Sequence, residues 1–417
     1  MLKKINFSSS YFKGTLDLFK GNLWAQIIGF FGALWVAKLY GANELGVFSK
    51  FVSLSSILAI FYTLRLEAAI ILAKEKQHQV NLFSTLFYTI IFVSSLSLLI
   101  TSLIPDVLFN KINLLRTVVL AGILGGVLKA FENVYVTYLI KIKKFKHVAN
   151  SRIVFTLSRY IFQIGLFFLT ITNGIIFGAL IASILLFIYL YKHANLKLKP
   201  FNLPTIKTHI KENLNLVSFG VLSDNLNVFN LQIIPLIGGI YFNDNYIGWY
   251  FLAITVLTIP IHFVNTSFSK VFFLKASDIY NDSRTQLFSF VKKSMLYLII
   301  LGIIPYLFLI IFSPYLISLF FDESWNNVGN YIQILAILFF LRTIYNPISN
   351  FEEIFRKNHI GFIFNIYLLI VNLTAIYIGS IKNDFLITLK IIAIFCSIGY
   401  AITSLYFFFQ TKKLSLK

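Results

Sequence analysis

Two arginines stand within a stretch that otherwise has the composition of a membrane-spanning helix. The segment SRIVFTLSRYIFQIGLFFLTI, residues 151–171, carries Arg152 at its start and Arg159 one heptad further along. At a rise of about 1.5 Å per residue, Arg159 lies about 10 Å deeper on the same helix face. An ionised side chain inside a bilayer costs at least about 2.5–3.5 kcal/mol. The pair therefore predicts surroundings that offset this cost, such as water or a bound anion.

Other polar side chains fall at similar depth in other apolar segments. Lys129 and Glu132 are three residues apart and share a helix face, and Asn133 follows them. Arg342 lies deep in a later segment, just before NPISN. Arginine suits phosphate because its planar fork pairs with two oxygens. These residue types therefore favour an anion-binding, polar wall.

A purely structural role is open for each of these residues. Arg159 could form a salt bridge to Glu132 or bond helix carbonyls without any ligand. Arg152, near a helix end, could extend its charge to the membrane surface. Lys129 could be neutralised locally by Glu132.

The most polar of the apolar segments is SDNLNVFNLQ, residues 223–232, which contains Asp224 and Asn225. Asp224 could accept a proton, bind sodium or contact a sugar. The alternative is hydrogen bonding between helices. The sequence identifies no particular ion.

Composition sets the class of protein. Of the 417 residues, 58% are hydrophobic and 12% charged, whereas soluble chains carry about 25% charged residues. The apolar surface must therefore face lipid. The single cysteine, Cys396, excludes an intramolecular disulfide and a cysteine-based metal site, and the six histidines show no ligand spacing. We expect no metal and no cofactor, apart from a coupling proton or sodium ion.

The chain contains twelve stretches that are long and apolar enough to span a membrane. A parallel internal repeat divides them, because LYGANELGVFSKFVSLSSIL (39–58) resembles IYFNDNYIGWYFLAITVLTIP (240–260). Repeats of this kind are typical of transporters. They predict an all-α membrane protein with an N-terminal lobe (1–195), a linker (196–212) and a C-terminal lobe (213–417). The predicted spans are 20–40, 46–66, 82–104, 115–139, 151–171, 174–192, 214–240, 247–268, 293–312, 328–346, 359–379 and 385–409.

The net charge of +20 predicts the orientation. With the N-terminus inside, about 26 of the 36 Lys and Arg residues fall in cytoplasmic segments and about two outside. Both termini are therefore expected in the cytoplasm. Only two acids, Glu132 and Asp224, lie at membrane depth, so the interior is net positive. The basic residues at that depth or its edge are Lys38, Lys50, Arg116, Lys129, Arg152, Arg159, Arg342 and Lys390.

The order of several weak motifs resembles one transporter family. QIIGFFGALWVAKLYGANELGVFSKF is similar to the opening of Wzx-type polysaccharide flippases, in the multidrug/oligosaccharidyl-lipid/polysaccharide exporter superfamily. The second half, with SPYLISLFFDESWNNVGNYIQILAILFFLRTIYNPISN, is similar too. Lys38 stands where that family often has arginine. A lysine keeps the charge but loses bidentate recognition of a phosphate.

The resemblance implies two six-helix lobes around a central cavity that opens alternately to each side. It also implies that the protein, as a monomer, turns a polyprenyl-diphosphate-linked oligosaccharide from the cytoplasmic to the outer leaflet of a bacterial inner membrane. O-antigen, capsule or a related polymer would follow, with a polysaccharide polymerase as a candidate partner. The cavity candidates are Arg159, Arg342, Lys129, Arg152, Lys38 and Asn133. The coupling-ion or sugar candidates are Asp224, Glu132 and Asn225.

Three other functions compete with this one. A drug exporter of the same superfamily would need more intramembrane acids to handle cations. A lipid II flippase carries a similar anionic lipid. A membrane polymerase or glycosyltransferase would generally need a sizeable outer loop, and the outer loops here are short, so we expect no enzyme.

Overall fold

The computed structural model describes residues 10–73, 75–111, 114–196, 198–214, 221–264, 268–282 and 284–415. Within these ranges the chain is helical and contains no strand, as the composition predicts. The helices are α1 Ser10–Thr63, α2 Glu67–Leu72, α3 Lys76–Leu103, α4 Asp106–Lys111, α5 Arg116–Lys141, α6 Phe145–Phe168, α7 Gly174–Ala194, α8 Leu203–Glu212, α9 Val221–Ile233, α10 Gly239–Tyr241, α11 Asp244–Val264, α12 Lys270–Asp282, α13 Arg284–Phe320, α14 Asn326–Ile348, α15 Phe351–Ile354, α16 Asn358–Lys382 and α17 Phe385–Ser415.

Eight helices of the described residues are long and apolar enough to cross a membrane. The first, Gly21–Thr63, has room for two predicted spans and is broken at Gly41, whose φ of 78° and ψ of 171° favour glycine. The predicted spans 151–171, 214–240 and 247–268 correspond to α6, to α9 with the turn after it, and to α11. The multi-pass helical fold predicted from the sequence is confirmed.

The chain forms two compact units, Met1–Ile240 and Tyr241–Lys417. The first includes α9, because α9 packs on α1 and Ser53 donates a 2.7 Å hydrogen bond to Gln232. A π-helical turn, Ile234–Gly238, follows α9. The division into lobes at the 196–212 linker, expected from the repeat, stays a prediction.

Close packing of α5 on α1 organises the first unit. A Cβ added at Gly122 would lie 2.6 Å from the Leu54 side chain, and one at Gly125 would lie 2.5 Å from Ser55 Oγ. Small residues of this kind let two helices approach without lipid between them. The polar face of α5 is thereby held against the hydroxyl-bearing turns of α1. Helix α6 also packs on α1, and α7 packs on α5 and α6.

The second unit is built on α14, which packs against α11, α13 and α17, while α16 packs on α17. One of its cores is strongly aromatic. Phe272, Phe351 and Phe407 are buried there, with ring centroids 5.6 Å apart for the first pair and 6.5 Å for the second.

Helix α8, in the linker, is fastened to the start of α3. Thr85 Oγ1 and His209 Nδ1 share a hydrogen bond of 2.8 Å, and the His78 and His209 rings meet edge to face at 5.3 Å. Burial lowers the pKa of His209, the nearby His78 lowers it further, and Glu212 acts in the opposite direction. The docked helix therefore prefers a neutral His209.

Acidification should release α8 from α3. The undocked imidazole has an ordinary pKa of about 6.5, so docking is complete above that pH and weakens as the pH falls through it toward the lowered pKa of the docked state. Hydrogen exchange of residues 203–212 at pH 7.5 and 5.5, corrected for intrinsic rates, measures this. His209→Gln should remove the pH dependence and the exposed His359→Gln should keep it. Protection that does not change with pH in the wild type would contradict this account.

Candidate functional site

The α5 polar face places Lys129 against α1. Its ammonium donates a 2.8 Å hydrogen bond to Ser56 Oγ. Close α1–α5 contact makes this bond possible, since a Cβ added at Gly126, three residues earlier, would lie 3.0 Å from the Leu58 side chain and 3.1 Å from the Tyr62 ring. Lys129 is half-buried, and this bond uses one of the three N–H donors of its ammonium.

Glu132, one turn after Lys129, lies in the electrostatic range of two cations, Lys129 and Arg152. No ion pair within 4.0 Å joins them in the described part of the chain, whereas Arg116 and Asp106 form one at 2.9 Å. The local Lys129–Glu132 pair that the sequence allowed is therefore an electrostatic interaction over more than 4.0 Å and not a direct ion pair. Asn133 is half-buried beside Glu132. The structure brings Lys129, Glu132 and Arg152 together, with one negative charge for two positive charges.

Aromatic groups hold Arg159 in place. Its guanidinium carbon lies 4.4 Å from the ring centroid of Tyr160 and 6.0 Å from that of Phe155, and Nη2 donates a hydrogen bond to the Tyr160 hydroxyl. Tyr160 in turn donates a 2.8 Å hydrogen bond to the carbonyl of Gly29 on α1. Arg159 Nε has no hydrogen-bond partner among the described residues.

Among the described residues, Arg159 forms no salt bridge to Glu132, which was one of the interpretations that the sequence left open. The guanidinium is held by rings and one phenol oxygen instead. It therefore keeps donor capacity for an anion, since a guanidinium carries five N–H donors.

Arg342, the cavity candidate in the second unit, is surrounded by aromatic groups, as Arg159 is in the first. It is half-buried on α14, with its guanidinium carbon 5.7 Å from the ring centroid of Phe339. Its positive charge lies within electrostatic range of the phenol groups of Tyr250, Tyr306 and Tyr400. Among the described residues, no carboxylate lies within ion-pair distance of it.

Sequence reasoning did not find these tyrosines. They come from α11, α13 and α17, and nothing in their spacing separates them from the other tyrosines of the chain. A fourth tyrosine, Tyr345, was also missed, although its spacing of one helical turn from Arg342 could have indicated it. Its ring is 5.1 Å from that of Tyr400, and its hydroxyl donates a 2.9 Å hydrogen bond to Glu352.

The remaining predicted residues are more scattered. Lys38 is exposed. Arg152 is exposed as well, so an extension of its charge to the membrane surface stays open, although it lies within electrostatic range of Glu132. Asn225 is buried on α9. Asp224 belongs to α9, but its side chain lies outside the described residues.

The cations of each unit can bind an anion, Lys129 and Arg159 in the first unit and Arg342 in the second. Among the described residues, Arg159 and Arg342 have no carboxylate within ion-pair distance, and Glu132 is one negative charge near the two positive charges of Lys129 and Arg152. Aromatic rings hold the arginines by cation–π attraction of about 0.5–2 kcal/mol, without supplying a competing anion.

Comparison with known proteins identifies the family, and a family profile and a relative agree on it. The sequence profile of the family described as polysaccharide biosynthesis protein matches residues 35–330. The lipopolysaccharide biosynthesis protein WzxC of Escherichia coli (strain K12) is 27% identical over 158 residues, which are 37% of this chain and 31% of that protein. The matched region thus spans about a third of that relative. These matches confirm the family resemblance seen in the sequence.

Solved transporters share the fold. The lipid II flippase MurJ, in an inward closed conformation, has a TM-score of 0.76 at 16% identity, covering 96% of this chain and 89% of that one. An inward-facing multidrug resistance MATE family transporter of the MOP superfamily has a TM-score of 0.70 at 14% identity, covering 96% and 98%. The predicted fold class is confirmed.

One glycine should control the position of Arg159. A Cβ at Gly32 would lie 2.4 Å from the Tyr160 ring, whereas a Cβ at Gly29, one turn earlier, would meet only Thr156 at 3.8 Å. Gly32→Ala should therefore lower the free energy of unfolding by about 1–3 kcal/mol, as overpacking does. Gly29→Ala should be neutral or slightly stabilising. Thermal unfolding of both variants in detergent micelles tests this, and equal melting temperatures would refute the role of Gly32.

Proposed function

Because the chain belongs to the polysaccharide biosynthesis protein family, we propose that it translocates a lipid-linked oligosaccharide across a bacterial cytoplasmic membrane. The cargo is a repeat unit on a polyprenyl diphosphate, carried from the cytoplasmic to the outer leaflet. It serves O-antigen, capsule or a related polysaccharide.

One observation carries the proposal. Each unit holds an arginine on a long helix, Arg159 on α6 in the first and Arg342 on α14 in the second, that contacts rings rather than a carboxylate among the described residues. A diphosphate brings about two negative charges at neutral pH, and a guanidinium fork binds two phosphate oxygens at once. The arginines therefore fit the charged part of such a cargo.

The neighbouring side chains suit the rest of the head group. Lys129 adds a point charge, and Glu132 limits how tightly the group holds an anion. Amide and phenol groups such as those of Asn133 and Tyr250 offer hydrogen bonds, and aromatic faces offer apolar contact to a sugar ring. Alternating access then requires that the cargo bind the inward-open state and leave the outward-open one.

The excess of basic residues in the loops supports an orientation in which both termini and the basic loops face the cytoplasm. We further propose that the protein acts as a monomer and hands its product to a polysaccharide polymerase. Lipid II is also a polyprenyl-diphosphate sugar, and MurJ has the same fold. The sugars of the transported lipid distinguish these two cargoes.

The first experiment determines which leaflet of the membrane holds the cargo. In a strain whose own gene is deleted, polyprenyl-diphosphate-linked oligosaccharide should accumulate on the cytoplasmic side, and the wild-type gene should relieve it. Mass spectrometry of that lipid names the sugar. Units that reach the outer leaflet without being polymerised would point to a polymerase instead.

Arg159→Ala should abolish translocation while the folded protein remains in the membrane. Arg159→Lys keeps the charge without the fork, so it should retain only part of the activity. The matched control is Arg116→Ala, which removes an arginine already paired with Asp106. Surface polysaccharide and the leaflet assay are the readouts. Full activity of Arg159→Ala would remove this residue from the proposed path.

Coupling to a proton or sodium gradient is proposed through the acids, Glu132 and Asp224. Glu132→Gln removes the negative charge beside Lys129 and Arg152. Cargo should then bind more tightly, and translocation should no longer depend on the ion gradient. Flipping into proteoliposomes with imposed proton or sodium gradients measures both effects. Unchanged gradient dependence would exclude Glu132 as the coupling acid.

A further inference from the structure

A polar cavity lies where the linker crosses the start of α3. Its volume is about 270 Å³. From α3 it is lined by Asn81, Ser84, Thr85 and Tyr88, and from the linker and α8 by Lys199, Pro200, Phe201, Asn202, Thr205 and Ile206.

The walls of this cavity are fixed by hydrogen bonds. Tyr88 donates to the Lys199 carbonyl at 2.8 Å, and the Lys199 backbone N–H donates to Ser84 Oγ at 3.0 Å. Asn202 caps α8 by accepting from the Thr205 N–H at 3.1 Å. With the Thr85–His209 bond, these contacts hold the linker in one position on α3.

Two side chains of the lining, Lys199 and Asn81, each have a polar group without a partner among the described residues. The Lys199 ammonium is half-buried and forms no hydrogen bond or ion pair with the described residues. Asn81 Oδ1 is buried and has no donor among them. A ligand that satisfies both carries a negative charge and a hydroxyl group, since an ammonium is only a donor and an amide oxygen only an acceptor.

The surroundings favour a lipid over a soluble ligand. Phe201 is 61% exposed and Leu203 62% exposed, beside the cavity. Lys207 and Lys211 lie on the same short helix. Exposed apolar groups together with lysines are typical of a helix that lies on an anionic membrane surface.

We infer that this cavity binds the head group of an anionic phospholipid that carries free hydroxyl groups, such as phosphatidylglycerol. The phosphate lies against the Lys199 ammonium and a head-group hydroxyl donates to Asn81 Oδ1. The acyl chains run past Phe201 and Leu203. The site anchors the linker to the membrane and is separate from the cargo site.

Native mass spectrometry of the purified full-length protein, titrated with phosphatidylglycerol or phosphatidylcholine in mixed micelles, tests this. The wild type should retain one phosphatidylglycerol in preference to phosphatidylcholine. Lys199→Gln and Asn81→Leu should each weaken that binding about tenfold, as expected for the loss of one charge-assisted contact or one buried hydrogen bond. The matched control, Lys207→Gln, removes the same charge from α8 outside the cavity and should weaken the binding much less than Lys199→Gln does.

Three results would overturn the inference. Equal retention of both lipids would show that the head-group charge is not recognised. Equal weakening by Lys207→Gln and Lys199→Gln would show attraction to the basic surface alone. Full competition by the water-soluble head group glycerophosphoglycerol would identify a soluble phosphate ligand rather than a lipid.

Discussion

The cost of placing a positive charge at membrane depth is the constraint on which the rest of this structure depends. The chain meets it in two ways. Arg116, at a helix end, is satisfied within the protein by Asp106 and by the carbonyls of Thr101 and Ser102. Arg159 and Arg342 are instead held by aromatic rings. The first arrangement leaves little for a ligand, and the second leaves N–H donors available.

Helix packing delivers these side chains to their positions. Gly122 and Gly125 let α5 approach α1, and this approach brings Lys129 within 2.8 Å of the Ser56 hydroxyl. Gly32 leaves room for the Tyr160 ring, which orients Arg159. The same feature, a missing side chain on one helix, therefore positions a cation on its neighbour in both places. The polar chemistry depends on apolar contacts that tolerate no added methyl group.

The sequence predicts the spans, the class and the positions of the cations, because hydropathy and charge are local properties. It does not predict their partners. A salt bridge from Arg159 to Glu132 was one of two interpretations that the sequence left open, yet Arg159 stacks on Tyr160, the next residue, whose hydroxyl is bonded to the Gly29 carbonyl on α1. The tyrosines around Arg342 converge from three helices, and only tertiary packing selects them. The linker cavity was also missed, since Lys199 and Asn81 are distant in sequence.

Aromatic contact has a consequence for a transporter that a salt bridge would not have. A buried carboxylate partner would compete with an anionic cargo, and removing it would leave an uncompensated charge that costs several kcal/mol. A ring attracts the cation by only about 0.5–2 kcal/mol and leaves its N–H donors free, apart from the one that Arg159 gives to the Tyr160 hydroxyl. A phosphate can therefore add to the stacked arginine without displacing its support. Water can take the place of the phosphate when it leaves, so the arginine remains in position through both events.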